Sequence, residues 1–355
     1  MADLAQRFEQ NPILKPRDVR PSVEGMEVTC LLNPGVFRYQ GKTWLLVRVA
    51  ERPAQVEGRT SFPILSPDGR LEVLEFDSAD PRLDLNDPRV ISFDGKDYLT
   101  TLSHLRPLSS EDGFTFSEPE GSLPLMGSGE LETYGIEDCR VTEIDKTYYL
   151  TYTQVSSNGV GVGLRTTRDW KDFVHAGMIF APHNKDCAIF EEQIGGMYYA
   201  LHRPSSPELG GNYIWLAESR DLMHWGNHRC LAHSREGYWD SARVGAGAAP
   251  IRTEEGWLEI YHGATKENRY CLGALLLDLN EPWRVLARSG VPIMEPLAPY
   301  EKEGFFGQVI FTNGHLVDGD RVTIYYGAAD SVICGAHFSL SNILASLAPT
   351  SGAKS

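Results

Sequence analysis

The chain has no apolar run of transmembrane length, no Cys-x-x-Cys pair, no Asn-x-Ser/Thr sequon and little that reads as helix. Each absence excludes something. Without a long apolar stretch, a membrane-spanning helix is not expected. The opening "MADLAQRFEQNPILKP" has neither a basic n-region nor an apolar h-region, so no secretory signal is read there. The six cysteines (30, 139, 187, 230, 271 and 334) are scattered, and reduced thiols in a cytoplasmic protein are the expectation. Positive charge is also scarce: 33 Lys and Arg against 48 Asp and Glu leave −15, which argues against nucleic acid or an anionic membrane as partner. The histidines lack metal-ligand spacing, so no metal is expected. No Gly-x-Ser-x-Gly elbow occurs, and "GAGAAP" (245–250) runs on into strand-like sequence rather than the helix that a dinucleotide loop requires.

What the chain does contain is one phrase six times over. Asn33 opens "NPGVFRYQGKTWLLVRVAE", Asp87 "DPRVISFDGKDYLTTLSH", Asp138 "DCRVTEIDKTYYLTYTQ", Asp186 "DCAIFEEQIGGMYYALHRP", Gly247 "GAAPIRTEEGWLEIYHG" and Gln308 "QVIFTNGHLVDGDRVTIYYG". Each is a polar opening, an alternating apolar run, a turn and a second run rich in aromatics, the pattern of a hairpin of half-buried strands. The openings lie 48 to 61 residues apart, the length of one propeller blade with its loops. A repeat filling 33 to 327 leaves no domain boundary, so residues 1–355 are read as a single all-β domain with a disordered tail at 349–355. Helix is expected only at "ADLAQRFEQ" and "LSNILASLA". Because every copy starts at the same end of its unit, Asp87, Arg89, Asp138, Arg140, Lys185 and Asp186 should converge on one central pocket.

Carboxylates recur at those openings: Asp87, Glu137-Asp138, then Glu191-Glu192, with Glu236 ahead of "GYWD". An Asp before a strand often only caps a turn. Several at one rim, interleaved with Arg48, Arg89, Arg140, Lys185 and Arg203, instead fit sugar chemistry, which needs a protonated acid, a second charged group for the attacker and charged forks for hydroxyls. Trp239, Tyr261 and Tyr134 are candidate stacking platforms, or blade core.

The ordered phrases, from "NPILKP" at 11–16 to "YYGAADS" at 325–331, resemble glycoside hydrolase family 130, the β-mannoside phosphorylases and β-mannosidases. The resemblance implies a five-bladed β-propeller with its site in the central cavity and an inverting single displacement. It implies that Asp138 is the general acid, acting through a substrate hydroxyl, although Cys139 stands where the family has proline. It implies sugar contacts from Arg48, Arg89, Lys185, Asp186 and Asp330. Phosphorylases of the family hold phosphate with basic residues and a Tyr-His-Gly phrase, here Lys185, Arg203, Tyr261 and His262. The phosphorylase phrase Phe-Pro-Glu-Lys is Phe190-Glu191-Glu192-Gln193 here, adding a carboxylate that would repel phosphate and serve a hydrolase as base. The reading adopted is therefore an inverting β-mannosidase releasing mannose from β-linked, β-1,2 by preference, manno-oligosaccharides. Its water would be positioned by Glu191 (in preference to Glu192) with Glu236. The alternative is a β-mannoside phosphorylase forming mannose 1-phosphate, with inorganic phosphate as co-substrate and no other cofactor. A non-catalytic sugar-binding propeller and an arabinanase-like hydrolase are weaker readings. Loops 52–62 and 203–212 are expected to shape the subsite beyond the cleaved bond or to contact another copy in a homo-oligomer.

Overall fold

A computed structural model describes residues 3–87, 89–205 and 209–350; Ser206–Glu208 of the loop expected to shape the far subsite, and residues 351–355 of the expected tail, lie outside the described residues. Strand accounts for 55% of the structure and helix for 4%, so the protein is all-β.

Five antiparallel sheets follow one another along the chain. The first pairs Met26–Tyr39, Lys42–Pro53 and Leu102–Ser110. The second runs through Ile136–Ile144, Thr147–Ser156, Gly159–Thr167 and Val174–Phe180, and the third through Asn184–Ile189, Tyr198–Pro204, Ile214–Ser219 and Trp225–Ala232. In the fourth, Arg243–Gly245 and Ile251–Arg252 both pair with Trp257–Ala264, followed by Tyr270–Leu277 and Val285–Ser289. The fifth holds Ile310–Asp318, Arg321–Ala328 and Val332–Ser339.

Both faces of these sheets are apolar because each is sandwiched between neighbours, and alternation sends successive side chains to opposite sides. In Trp257–Ala264, Trp257 and Tyr261 join a buried cluster with Ala188, Phe190 and Leu201 of the third sheet. Leu258 and Ile260 join one with Ile310 and Ile324 of the fifth. Similar clusters link first to second and second to third sheets. A further cluster links the fifth back to the first through Leu31, Val47, Tyr325 and Ile333.

Three expectations change. The hairpin of the Asp87 phrase builds none of the five sheets; it forms Val90–Phe93 and Lys96–Leu99 of a small three-stranded sheet inserted, with the hairpin Arg59–Leu65/Leu71–Asp77, between strands of the first sheet. Only the phrase's last residues, from Leu102, join that first sheet. The expected N-terminal helix is instead a strand, Gln6–Arg7, pairing with Val332–Ser339, because the edge of the fifth sheet offers unpaired backbone groups there. Residues 349 and 350, expected in the tail, are instead ordered, since Leu347–Pro349 adds to the fourth sheet and Thr350 donates its N–H to Leu286 O. The expected C-terminal helix is present at Leu340–Ala345, capped by the Ser339 hydroxyl. Among the described residues no helix is long and apolar enough to cross a membrane, and all six cysteines are free thiols.

Candidate active site

Three openings of the repeated phrase are bulges. Register slips between Leu32 and Gly35, between Glu137 and Arg140, and between Lys185 and Ala188. At each slip one residue is left-handed: Asn33 (φ 33°), Asp138 (φ 48°) and Asp186 (φ 53°). Asn and Asp are the side-chain-bearing residues that best tolerate this conformation, and a bulge re-aims the side chain it carries. Asp330, also left-handed at 49°, occupies the turn after Arg321–Ala328. These four side chains line a cavity of about 800 Å³ together with Arg48, Arg89, Glu137, Lys185, Arg203 and Arg243.

One side of the cavity is acidic. Asp138 Oδ1 accepts from Asn33 Nδ2 at 3.0 Å and from Arg48 Nη1 at 3.1 Å. Arg48 Nη2 reaches Glu137 Oε1 at 2.8 Å, and its Nε donates to Ser103 Oγ at 2.9 Å. Burial works to raise the Asp138 carboxyl, but Arg48, Arg140, the Asn33 amide and Lys185 hold it below the ordinary aspartate value. Asp330 goes the other way: burial pushes it up to about 6, with Arg48 opposing and the Asp138 and Glu137 charges adding to the rise. The two carboxyls thus carry opposite shifts, favouring the ionised form at Asp138 and the protonated form at Asp330 in the free protein.

The other side is basic, with Lys185, Arg203 and Arg243. Lys185 and Arg203 face each other across paired strands. Asp186 is the carboxylate here, and it is already occupied: Oδ1 meets Arg140 Nη2 at 3.2 Å and Oδ2 meets Arg203 Nε at 3.1 Å. Although burial opposes ionisation, Arg203, Arg140 and His262 keep Asp186 well below the usual carboxylate range. Gly245 leaves room for this pair, since a Cβ there would sit 2.4 Å from Asp186 Oδ2 and 2.5 Å from His262 Nε2. The glycines of "GAGAAP" thus serve close packing, not a phosphate loop.

Arg48, Arg89, Asp138, Lys185, Asp186, Arg203 and Asp330 are brought together as the sequence led us to expect. Glu191 and Glu192 are not: they lie exposed in the turn between Asn184–Ile189 and Tyr198–Pro204, and Glu192 pairs with Arg252 at 2.8 Å. The strand begins at the cavity and carries them off its far end. Glu236 is exposed in a loop beside a separate small cleft with Lys266 and Glu267. Tyr261 points away from the cavity, packed on Trp239 at 5.5 Å and donating its hydroxyl to Asp240 at 2.8 Å. Alternation turns His262 the other way, but it is fully buried behind the lining, 3.4 Å from Asp186 Oδ2, and burial lowers it to about 4, so it is neutral. Trp239 and Tyr134 are likewise packed inside rather than presented as platforms. Asp87 grips Arg89 at 2.9 Å outside the lining, and Arg140 lies beneath it, 1% exposed.

Sequence reasoning passed over Asn33, Arg243, Asn268, Tyr270, Phe305 and Phe306, all in the lining. Their signal was available: Asn33 opens the first phrase, and Phe305-Phe306 follow "YEKEG", itself part of the ordered set.

Comparison with known proteins gives consistent matches. A family model described as beta-1,4-mannooligosaccharide phosphorylase matches residues 109–348. A beta-1,2-mannobiose phosphorylase of Listeria innocua is 47% identical over 344 residues, covering 95% of this chain and 97% of that one. A solved structure of the L. innocua beta-1,2-mannobiose phosphorylase with beta-1,2-mannobiose superposes with a TM-score of 0.92 at 46% identity, covering 96% and 98%. A beta-1,4-mannooligosaccharide phosphorylase of Ruminococcus albus is 28% identical, covering 96% and 90%.

Proposed function

This chain belongs to glycoside hydrolase family 130, and from that premise we propose that it is an inverting β-mannoside phosphorylase acting on β-1,2-linked manno-oligosaccharides. The hydrolase expectation is set aside as a correction. Its water-activating carboxylates were to be Glu191 and Glu236, which are exposed and outside the cavity. The relatives at 47% and 28% identity are named phosphorylases.

The observation that carries the reading is the division of charge in the cavity. Besides the acids, the lining holds Lys185, Arg203 and Arg243 from the third and fourth sheets, and the carboxylate among them, Asp186, is bound to two arginines. A general base for water needs a free carboxylate; a phosphate dianion needs cations. At ~4 Å and an effective dielectric of ~20 each charge pair contributes about 4 kcal/mol, enough to seat the anion. Phosphate oxygen attacks the anomeric carbon from this side. The bond from that carbon to the glycosidic oxygen breaks, and the departing oxygen takes a proton relayed through a substrate hydroxyl from the protonated form of Asp138, the acid the resemblance implies. Bound substrate must favour that form, because Arg48 and Asn33 favour the ionised one in the free protein. The products are α-mannose 1-phosphate and the shortened saccharide. Arg48, Arg89 and Asp330 hold sugar hydroxyls.

The β-1,2 linkage is supported by the 47% identical relative. The five sheets, joined by successive apolar clusters with the fifth meeting the first, support a five-bladed propeller in a single domain. Six unpaired thiols support a cytoplasmic location. The test is incubation with β-1,2- and β-1,4-mannobiose, each with and without phosphate. Phosphate-dependent mannose 1-phosphate from the β-1,2 substrate is expected. Equal release of free mannose without phosphate would refute the reading.

A further inference from the structure

Arg140 lines none of the cavity, yet both of its sides hang on it. Its Nη1 donates to the backbone oxygen of Asp138 at 2.9 Å, fixing the bulge that aims the acid. Its Nη2 meets Asp186 Oδ1 at 3.2 Å and Ala246 O at 2.9 Å, while Nε reaches Gly247 O at 2.9 Å. Asp186 then holds Arg203 Nε through its other oxygen at 3.1 Å. One buried guanidinium therefore connects the left-handed acid position of the second sheet, the left-handed carboxylate of the third and the glycine segment of the fourth. Sparsely populated backbone conformations persist only where their surroundings over-determine them, and Arg140 supplies that constraint. Its planar fork does so in three directions at fixed angles, which a lysine cannot reproduce.

We propose that Arg140 is a positioning residue that holds the proton donor Asp138 and the anion-binding Arg203 in one fixed relation, so that proton delivery and phosphate capture depend on it together. The proposal rests on the phosphorylase reading. Asp138 is also faced by Arg48 from Lys42–Pro53, by Asn33, by its neighbour Glu137, by Lys185 of the next sheet and by Asp330 of the fifth. Arg140 differs from these in touching the acid only through its backbone and in reaching the anion side as well.

The experiment compares wild type, Arg140→Lys and Asp138→Asn in phosphorolysis of β-1,2-mannobiose, with KM for each substrate, kcat and its pH profile. Asp138→Asn should lower kcat and leave the KM for phosphate near wild type. Arg140→Lys should lower kcat at least ~100-fold, raise the phosphate KM at least tenfold and displace the alkaline limb of the profile, which reports the protonated acid. A purely structural role would reduce the folded fraction, scaling kcat while both KM values and the profile stay put; that result in a folded Arg140→Lys protein would overturn the proposal. If Arg140→Lys does not fold, Asp186→Asn decides. A tenfold rise in phosphate KM supports the link, and an unchanged one defeats it. A wild type indifferent to phosphate would overturn the phosphorylase reading and this proposal together, whereas a phosphate-dependent wild type with an indifferent variant overturns the proposal alone.

Discussion

Asp138 and Asp330 share a pocket and a conformation but not an environment. Asp138 bonds Arg48 and Asn33, whereas burial, with the Asp138 and Glu137 charges adding to it, sets Asp330 at about 6. Asp138→Asn keeps an oxygen for Arg48 and tolerates the left-handed backbone, so the fold should survive. Its kcat should fall by at least ~10³ on the scale of lost acid catalysis, measured at saturating phosphate. Asp330 carries a stability consequence. Its carboxyl titrates at 3.8 unfolded and about 6 folded. Between these values the folded protein keeps a proton that the unfolded chain has lost, so stability declines as pH rises from about 4 to about 6 and stays lower above. Asp330→Asn should therefore raise Tm by a few degrees at pH 7 and hardly at all at pH 4, at the expense of sugar binding.

At the scale of the element, what matters is where along a strand a residue falls. From Asp186 to Glu191 is five residues, or roughly 16 Å of extended chain, which removes Glu191 from the cavity. Glu191→Gln and Glu236→Gln should each leave kcat/KM within about twofold of wild type, in line with other exposed positions; a hundredfold loss in either would restore the hydrolase base. The hairpins were legible because their alternation and turn chemistry are local. Asp138, Arg48 and Lys185 were legible because polar residues opening a repeated strand must share an end of the fold. Which of Tyr261 and His262 faces inward was not, since period two states only that they differ. Nor could it be read that His262 would lie behind Asp186 rather than beside it, because that depends on the absent side chain of Gly245. The Asp87 phrase misled for a related reason: a hairpin pattern does not say which sheet it joins.

For the whole molecule, a short N-terminal segment ties the fifth sheet to the helix that precedes it. Arg7 meets Glu301 at 2.7 Å, and Glu301 is fully buried, holding Tyr326 and the start of the helix Pro299–Lys302 as well. Arg7→Ala strips a buried carboxylate of its cation and should destabilise by on the order of 2–3 kcal/mol, somewhat less than a buried charge left with no partner at all. Denaturant unfolding followed by tryptophan fluorescence measures this directly. A loss below about 0.5 kcal/mol would place the pair among inconsequential surface ion pairs.

The pairing of Gln6 with His337 also has a meaning in time. At the ribosome's pace of about 5–20 residues per second, the strand made first waits on the order of 15–65 s for its partner. Throughout that interval Gln6–Arg7 and the ring of Phe8 are an unclaimed strand end, and the fifth sheet of a neighbouring chain on the same message offers the same seat. Crowded synthesis thus favours exchange of N-terminal strands between copies, and slower expression at lower message density favours each chain closing on itself.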